Sequence, residues 1–374
     1  MVSAIPVRRV FRPAHDIVNA LAQKGNHAEF KVVVPASAVP EKKLKNLPVV
    51  HYPVVSTVDS DDADDTLPSA LKPPPPPCFG YGSSQKGSWS KAGEWKPSTK
   101  NVCDLNEYWD FFEHIPTTRA VGRCFHRRRW VVFAGDSNSR KLYWAIRMRF
   151  RDVGYKSAFV GGTSSGGKRL FGDNRWSDRD AIFWNEKRTQ VFRISLRFFR
   201  SLESFENHWN NWDMLYEGNG EVNIHLNRQW LNAKKIFMKS YHTSLPDTLI
   251  FSSGLWNISC GTAAKSYLHL QEEYLRINNV LYMTPGHLLH HKWITNADVK
   301  KALDCVLAER DKLLFNVTSV AKIPPIFDVY ELTENLPNKN WVGYGGGYHY
   351  CDDHGRPSTV GKAVVAGWLS FVCN

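Results

Sequence analysis

The sequence predicts an α/β domain around a central parallel sheet, and three observations carry that prediction. Short apolar runs ending in small or polar residues recur at Trp130–Gly135, Asp247–Asn257, Val280–Thr284 and Ile326–Tyr330. Between them lie longer stretches whose apolar residues repeat every three or four positions, the period of a helix with one buried face. Strands alternating with helices in this way pack as a parallel sheet with right-handed crossovers. The third observation also places the chemistry. The first run passes through Gly135-Asp136-Ser137 into a helical stretch, so a serine stands where a buried strand ends. Open α/β sheets meet their ligands at that edge.

Taken in order, residues 1–77 show little hydrophobic periodicity, an acidic patch at Asp59, Asp61, Asp62, Asp64 and Asp65, and the run Pro73 to Pro77. They read as a disordered arm ending in a stiff polyproline linker. The folded domain is expected over residues 78–374. Its first part, residues 78–125, begins with a tract rich in glycine, serine and tryptophan that has few aliphatic residues for a core of its own. This reads as a small Cys/Trp-rich N-terminal cap tied by Cys78 and Cys103. A short helical piece is expected at Asn106–His114, and Arg127-Arg128-Arg129 reads as a solvated strand entry rather than an anion site.

After Ser137, Leu142, Ile146 and Phe150 recur at every fourth position and predict a helix. Asp136 or Ser137 could simply cap it, as such residues commonly do; a nucleophile is the alternative. The glycine-rich loop Gly161–Gly167 lacks the Gly-Lys-Ser/Thr ending of a phosphate loop, yet its glycines let a backbone N–H approach a substrate oxygen. Along Thr189–Phe199, Phe192, Ile194, Leu196 and Phe198 alternate with Arg193, Ser195 and Arg197, the pattern of a half-buried strand. Trp209, Trp212 and Trp230 mark an insertion over Phe205–Trp230, read as core packing ahead of sugar stacking. Helices are expected at Tyr267–Ile277, Asn296–Phe315 and Ser358–Phe371. A glycine-rich tract, Trp341 to His354, presents His349 and His354 just before the last of these, where a general base would sit.

The chain has 374 residues, 43% of them hydrophobic, enough to bury a substantial core. Its net charge of +12 favours polyanions: nucleic acid, acidic glycan or a membrane surface. No nucleic-acid-binding motif accompanies the charge, so nucleic acid is not an expected partner. No apolar run reaches the roughly 18 residues of a membrane span, and the start lacks a signal-peptide core. Membrane attachment is therefore expected only through a targeting segment absent from this chain. The seven cysteines stand singly, with no Cys-x-x-Cys pair, so no metal site is expected. They suit three disulfides with one thiol over, as in a secretory compartment, or buried free thiols in a reducing one.

Serine after the first strand, asparagine after a middle strand and histidine before the last helix form an order that resembles the SGNH (GDSL-like) hydrolase superfamily. Within it the likeness is to the PC-esterase branch, which includes the trichome birefringence-like, sialate and capsule O-acetyltransferases and the neurexophilin and PC-esterase domain proteins. Gly135-Asp136-Ser137 with Arg140, Gly254-Leu-Trp-Asn257 and Tyr348-His349-Tyr350 carry the likeness, over residues 78–374. It implies a flavodoxin-like three-layer SGNH fold. It also implies a serine-dependent O-acyltransferase or esterase, with O-acetyl transfer as the expected reaction, that acts on a polysaccharide or glycan in the Golgi lumen or outside the cell. Ser137 would be the nucleophile and His349 its base. The N–H groups of Ser137 and Gly162 and the amide of Asn257 would hold the oxyanion. Asp136, Arg140 and Gly254 would support them. No bound cofactor is implied, and acetyl-CoA could serve as acyl donor. One position departs from the family: the aspartate expected three residues before the histidine is Gly346. Either a backbone carbonyl, Asp352 or Asp353 substitutes for it, or the protein is an impaired glycan-binding or structural member of the fold.

Overall fold

In the computed structural model the described residues are 87–97, 105–161, 178–199, 208, 211–215, 228–253, 258–288, 294–316, 323–334, 336, 349–352 and 355–373, all within the unit Leu71–Asn374. Among them β1 (Gly87–Trp89) and β2 (Trp95–Pro97) form a hairpin, followed by a 3-10 segment, Leu105–Phe112. Then come α1 (Ile115–Arg128), β3 (Trp130–Gly135), α2 (Ser137–Asp152), β4 (Lys156–Val160), β5 (Arg179–Trp184) and β6 (Val191–Phe198). The remainder is α3 (Arg228–Ser240), β7 (Thr248–Ser252), α4 (Cys260–Tyr274), β8 (Asn279–Met283), α5 (Asn296–Asn316), β9 (Ile326–Phe327), α6 (Val329–Glu334) and α7 (Thr359–Cys373).

The sheet runs β4-β5-β6-β3-β7-β8-β9. From β6 to β9 every neighbouring pair is parallel, and β5 and β4 extend the β6 edge in antiparallel pairing. Counted in chain order, the five parallel strands stand 2-1-3-4-5, a doubly wound order whose switch point lies between the first and third, here β3 and β7. The strand that ends in Gly135 therefore leads directly to the crevice where such sheets take ligands.

β3 is apolar throughout because both of its faces are covered, as expected of a central parallel strand. Val131 and Phe133 pack with Val121 and Phe125 of α1, Leu142 and Ile146 of α2, and Val364 and Trp368 of α7. Trp130, Val132 and Ala134 face the other way, onto Trp230 and Phe237 of α3, Tyr267 and Leu270 of α4, and Val306 of α5. Helices thus cover the sheet from two sides. Each side carries a disulfide: Cys124–Cys373 joins α1 to α7, and Cys260–Cys305 joins α4 to α5. The first closes 249 residues, and in the chain-entropy account such a bridge contributes roughly 5 kcal/mol. Disulfides of this kind fit an oxidising compartment. No helix among the described residues is long and apolar enough to cross a membrane.

Several local expectations are corrected. Arg127 and Arg128 are not a solvated strand entry but close α1, and Arg129 turns the chain with a φ of 61°. Arg128 Nε donates to the Val372 carbonyl at 2.8 Å. The strand expected over 189–199 runs Val191–Phe198 and is buried on both faces rather than one, because Arg193 and Arg197 find ionic partners. Ser259 caps α4 by accepting from Thr262 N–H at 3.2 Å, so that helix starts well before Tyr267. Asp328 accepts from Glu331 N–H at 3.0 Å and converts the end of the expected last strand into α6. Trp212 and Trp230 are core residues. Of the expected cap, the hairpin buries Trp95, and Trp89 Nε1 donates to the Leu332 carbonyl at 2.8 Å; Cys78 and Cys103 lie outside the described residues.

Candidate active site

The turn from β3 into α2 works because position 135 is glycine. A Cβ there would lie 2.3 Å from Ser139 Oγ and 3.1 Å from Ser252 Cβ, so the first helical turn and the end of β7 can close on β3 only without one. Asp136 takes the N-cap: its Oδ1 accepts from Asn138 N–H at 2.9 Å. The capping role that the sequence left open between two residues therefore belongs to Asp136. Ser137 follows as the first helical residue, where backbone N–H groups lack intrahelical acceptors and the helix dipole favours negative charge.

The Ser137 hydroxyl lies 3.1 Å from His349 Nε2 across 212 residues of sequence. Neither residue is fully buried, so the pair sits at the surface of the crevice. His349 is held by its neighbours from three directions. Tyr350 N–H donates to Asn138 Oδ1 at 3.2 Å, and Lys141 Nζ donates to the Cys351 carbonyl at 3.2 Å, both side chains coming from α2. Ser358, which caps α7, donates to the Tyr350 carbonyl through its N–H at 2.8 Å and its hydroxyl at 3.0 Å. Gly286 N–H, beyond β8, donates to Tyr350 Oη at 3.0 Å. Helix α2, which carries Ser137, thus holds the backbone next to His349 by two hydrogen bonds of its own.

No protein-family model matches this chain, and no curated protein matches it. The chemistry must therefore be argued from the residues themselves.

Burial, followed by the charge of Asp136, raises the Tyr350 phenol above its ordinary pKa and keeps it neutral. Burial likewise pushes up the thiol of Cys351, so this free cysteine next to the site stays protonated and is no competing nucleophile. Arg140 is buried one turn into α2, with its guanidinium 5.5 Å from the centre of the Phe198 ring. Asp352 is nearly buried, and its carboxylate accepts from Arg356 N–H and Nε, each at 2.8 Å. Gly162, Gly254, Asn257, Gly346 and Asp353 lie outside the described residues.

Sequence reasoning passed over Asn138 and Lys141. The available signal was Lys141 itself, a lysine one turn from Ser137 and directly ahead of the apolar run Leu142 to Ile146. Buried lysines are rare unless paired.

Proposed function

We propose that the protein is a serine-dependent O-acyltransferase or esterase of the SGNH, PC-esterase type, transferring an acyl group, in the first instance acetyl, on a glycan. The single observation that supports this reading most is the 3.1 Å approach of His349 Nε2 to Ser137 Oγ at the carboxyl end of the central strand. The distance is that of a nucleophile and its general base.

In this mechanism Ser137 Oγ attacks the ester carbonyl carbon while His349 Nε2 takes its proton. The carbonyl oxygen becomes an oxyanion held by the N–H of Ser137 at the start of α2, with Gly162 and Asn257 as the further donors the family likeness implies. Collapse of the adduct expels the donor's leaving group, which receives the proton from His349, and leaves an acyl-serine. A sugar hydroxyl or water then gives its proton to His349 and attacks the acyl carbon. The second collapse releases the new ester or acid and returns the proton to Ser137. With Gly346 in place of the family's aspartate, backbone ties at Tyr350 and Cys351, just after His349, take over part of its placement. The two disulfides agree with a secretory site of action.

The test is acetate release from, and acetyl transfer to, acetylated and deacetylated polysaccharides by wild type and Ser137→Ala. Turnover by the wild type that disappears in the variant supports the proposal. A folded wild type with no turnover on any acetylated glycan or on a small activated ester would defeat it.

A further inference from the structure

The two helical layers dispose their surface charges differently. Along α5 the bases stand among acids of the same helix: Lys300 lies 3.6 Å from Asp304, Arg310 reaches Asp311 at 2.9 Å, and Lys312 reaches Glu309 at 2.7 Å. Helix α1 contains no acid at all. Arg119, Arg123 and Arg127 recur there at every fourth position and all are exposed, so they form one stripe on its outer face. At 1.5 Å per residue the stripe is about 12 Å long. Among the described residues none of the three is ion-paired.

The positive surface continues past the helix. Pairing of Trp130 with Arg193 places the turn between β5 and β6 at the amino end of β3, where α1 also ends. Val191 N–H, just after that turn, donates to His126 Nδ1 at 3.1 Å. Tyr155, near enough to Arg119 and Arg123 to feel their charge, donates to Gln190 Oε1 at 2.6 Å. Lys187 and Arg188 in the turn are exposed, and Glu186 is its one acid. Ser137 follows the other end of β3, about 20 Å away at 3.3 Å per strand residue, so this surface is separate from the candidate active site.

A run of exposed charge is commonly just a solvated face, but two facts argue against that here. Like charges four residues apart on a helix repel, and α1 has no acid to relieve them. The helix dipole favours a base only in the last turn, which covers Arg127 and leaves Arg119 and Arg123 unexplained.

We infer that Arg119, Arg123 and Arg127, with Lys187 and Arg188 at one end, form a docking surface for an acidic polysaccharide. The planar fork of arginine matches the paired oxygens of a carboxylate or sulfate, which such a polymer carries in rows. A membrane fits less well. Val121 and Phe125 of α1 are packed in the core, and Ile115 alone among its large apolar residues is exposed, too little to sink into a lipid surface. The two disulfides fit an oxidising compartment, where acidic glycans are at hand and the anionic cytoplasmic leaflet is not. The net charge of +12 agrees with a polyanionic partner.

The test is titration of the full chain with a heparin dodecasaccharide at rising salt. The wild type binds at low salt. Arg119→Gln/Arg123→Gln/Arg127→Gln weakens binding at least about tenfold and lowers the slope of log affinity against log salt by about two to three, roughly one counterion for each arginine removed. Replacing the same three residues by lysine costs less than replacing them by glutamine. A control that removes three charges from α5, Lys300→Gln/Arg310→Gln/Lys312→Gln, weakens binding less than about threefold. The α1 triple variant melts no lower than the wild type, because it relieves repulsion along the helix. A wild type that does not bind heparin at low salt overturns the inference, as does equal weakening by the two triple variants, which would reduce the effect to net charge. Tighter binding to phosphatidylserine-containing vesicles than to heparin, lost in the α1 triple variant, would replace the polysaccharide with a membrane. Ser137→Ala binds heparin as the wild type does, so the docking surface and the catalytic reading stand or fall separately.

Discussion

Two polar clusters flank the central strand, and they use their groups in opposite ways. Under β5 and β6, Asp180 receives both Arg193 and Arg197, Arg193 also reaches Asp213 at 2.5 Å, and Trp130 Nε1 donates to Ser195 Oγ at 2.7 Å. The Arg193, Arg197 and Asp180 side chains are at most 1% exposed. At the carboxyl end of β3 the flanking groups are equally well tied, but the Ser137 hydroxyl and the His349 ring meet each other at a partly open surface. The first cluster spends its charges on one another and holds the sheet together. The second spends its hydrogen bonds on bringing the Ser137 hydroxyl and His349 Nε2 together, and that division marks one as structural and the other as the candidate site.

The largest effect expected from breaking this contrast is on the second cluster. His349→Ala should lower turnover by about a million-fold, as loss of the general-base histidine does in a serine protease, while the denaturation midpoint hardly moves. A loss of stability as large as the loss of activity would place His349 with the structural cluster.

Next comes Asp180→Asn, which leaves Arg193 and Arg197 buried without their carboxylate and should cost about 3–5 kcal/mol in urea unfolding. Burial alone would raise Asp180, but Arg193 and Arg197 hold it down at about 2. Its contribution is therefore complete above the ordinary carboxylate pKa and is lost as pH falls through about 2. A wild type whose stability did not fall across that window would contradict the pairing.

Asn138→Ala tests whether the helix of the nucleophile positions the base. Misplacement of His349 should lower kcat on the order of tenfold to a hundredfold with KM little changed. Asn138→Asp retains the acceptor for Tyr350 N–H and should restore part of the rate, whereas a purely packing role would show no such rescue.

The smallest effect belongs to Asp247, at the far end of β3, which accepts from Trp130 N–H at 3.1 Å. Burial raises its pKa to about 6, against the opposing hydrogen bond from Trp130. An acid raised on folding destabilises once it ionises, so the wild type loses stability as pH rises from its unfolded pKa through about 6. Asp247→Asn should melt higher than the wild type at pH 8 and equally at pH 4; identical melting curves at both would refute the shift.

The parallel sheet was legible because strand runs such as Trp130–Gly135 are buried on both faces and read as unbroken apolar stretches. The antiparallel β4 and β5 were not, since Arg179 and Asp180 look like surface residues until their partners on β6 and α2 are known. Helix α1 was missed for a similar reason: it buries Val121, Cys124 and Phe125 among many arginines and threonines. At the site, the order of Ser137 and His349 could be read from sequence. Asn138 and Lys141 could not be given roles there, because both bond to backbone atoms more than 200 residues away, and backbone donors and acceptors leave no trace in side-chain pattern.

The central claim is that Ser137 is a nucleophile activated by His349. Exposing the folded chain to a serine-directed fluorophosphonate and mapping the adduct by peptide mass spectrometry tests it most directly. The account predicts one adduct, on Ser137, that is absent from Ser137→Ala and slowed by orders of magnitude in His349→Ala. A folded wild type that stays unlabelled, or a label on another residue that persists in Ser137→Ala, would contradict it.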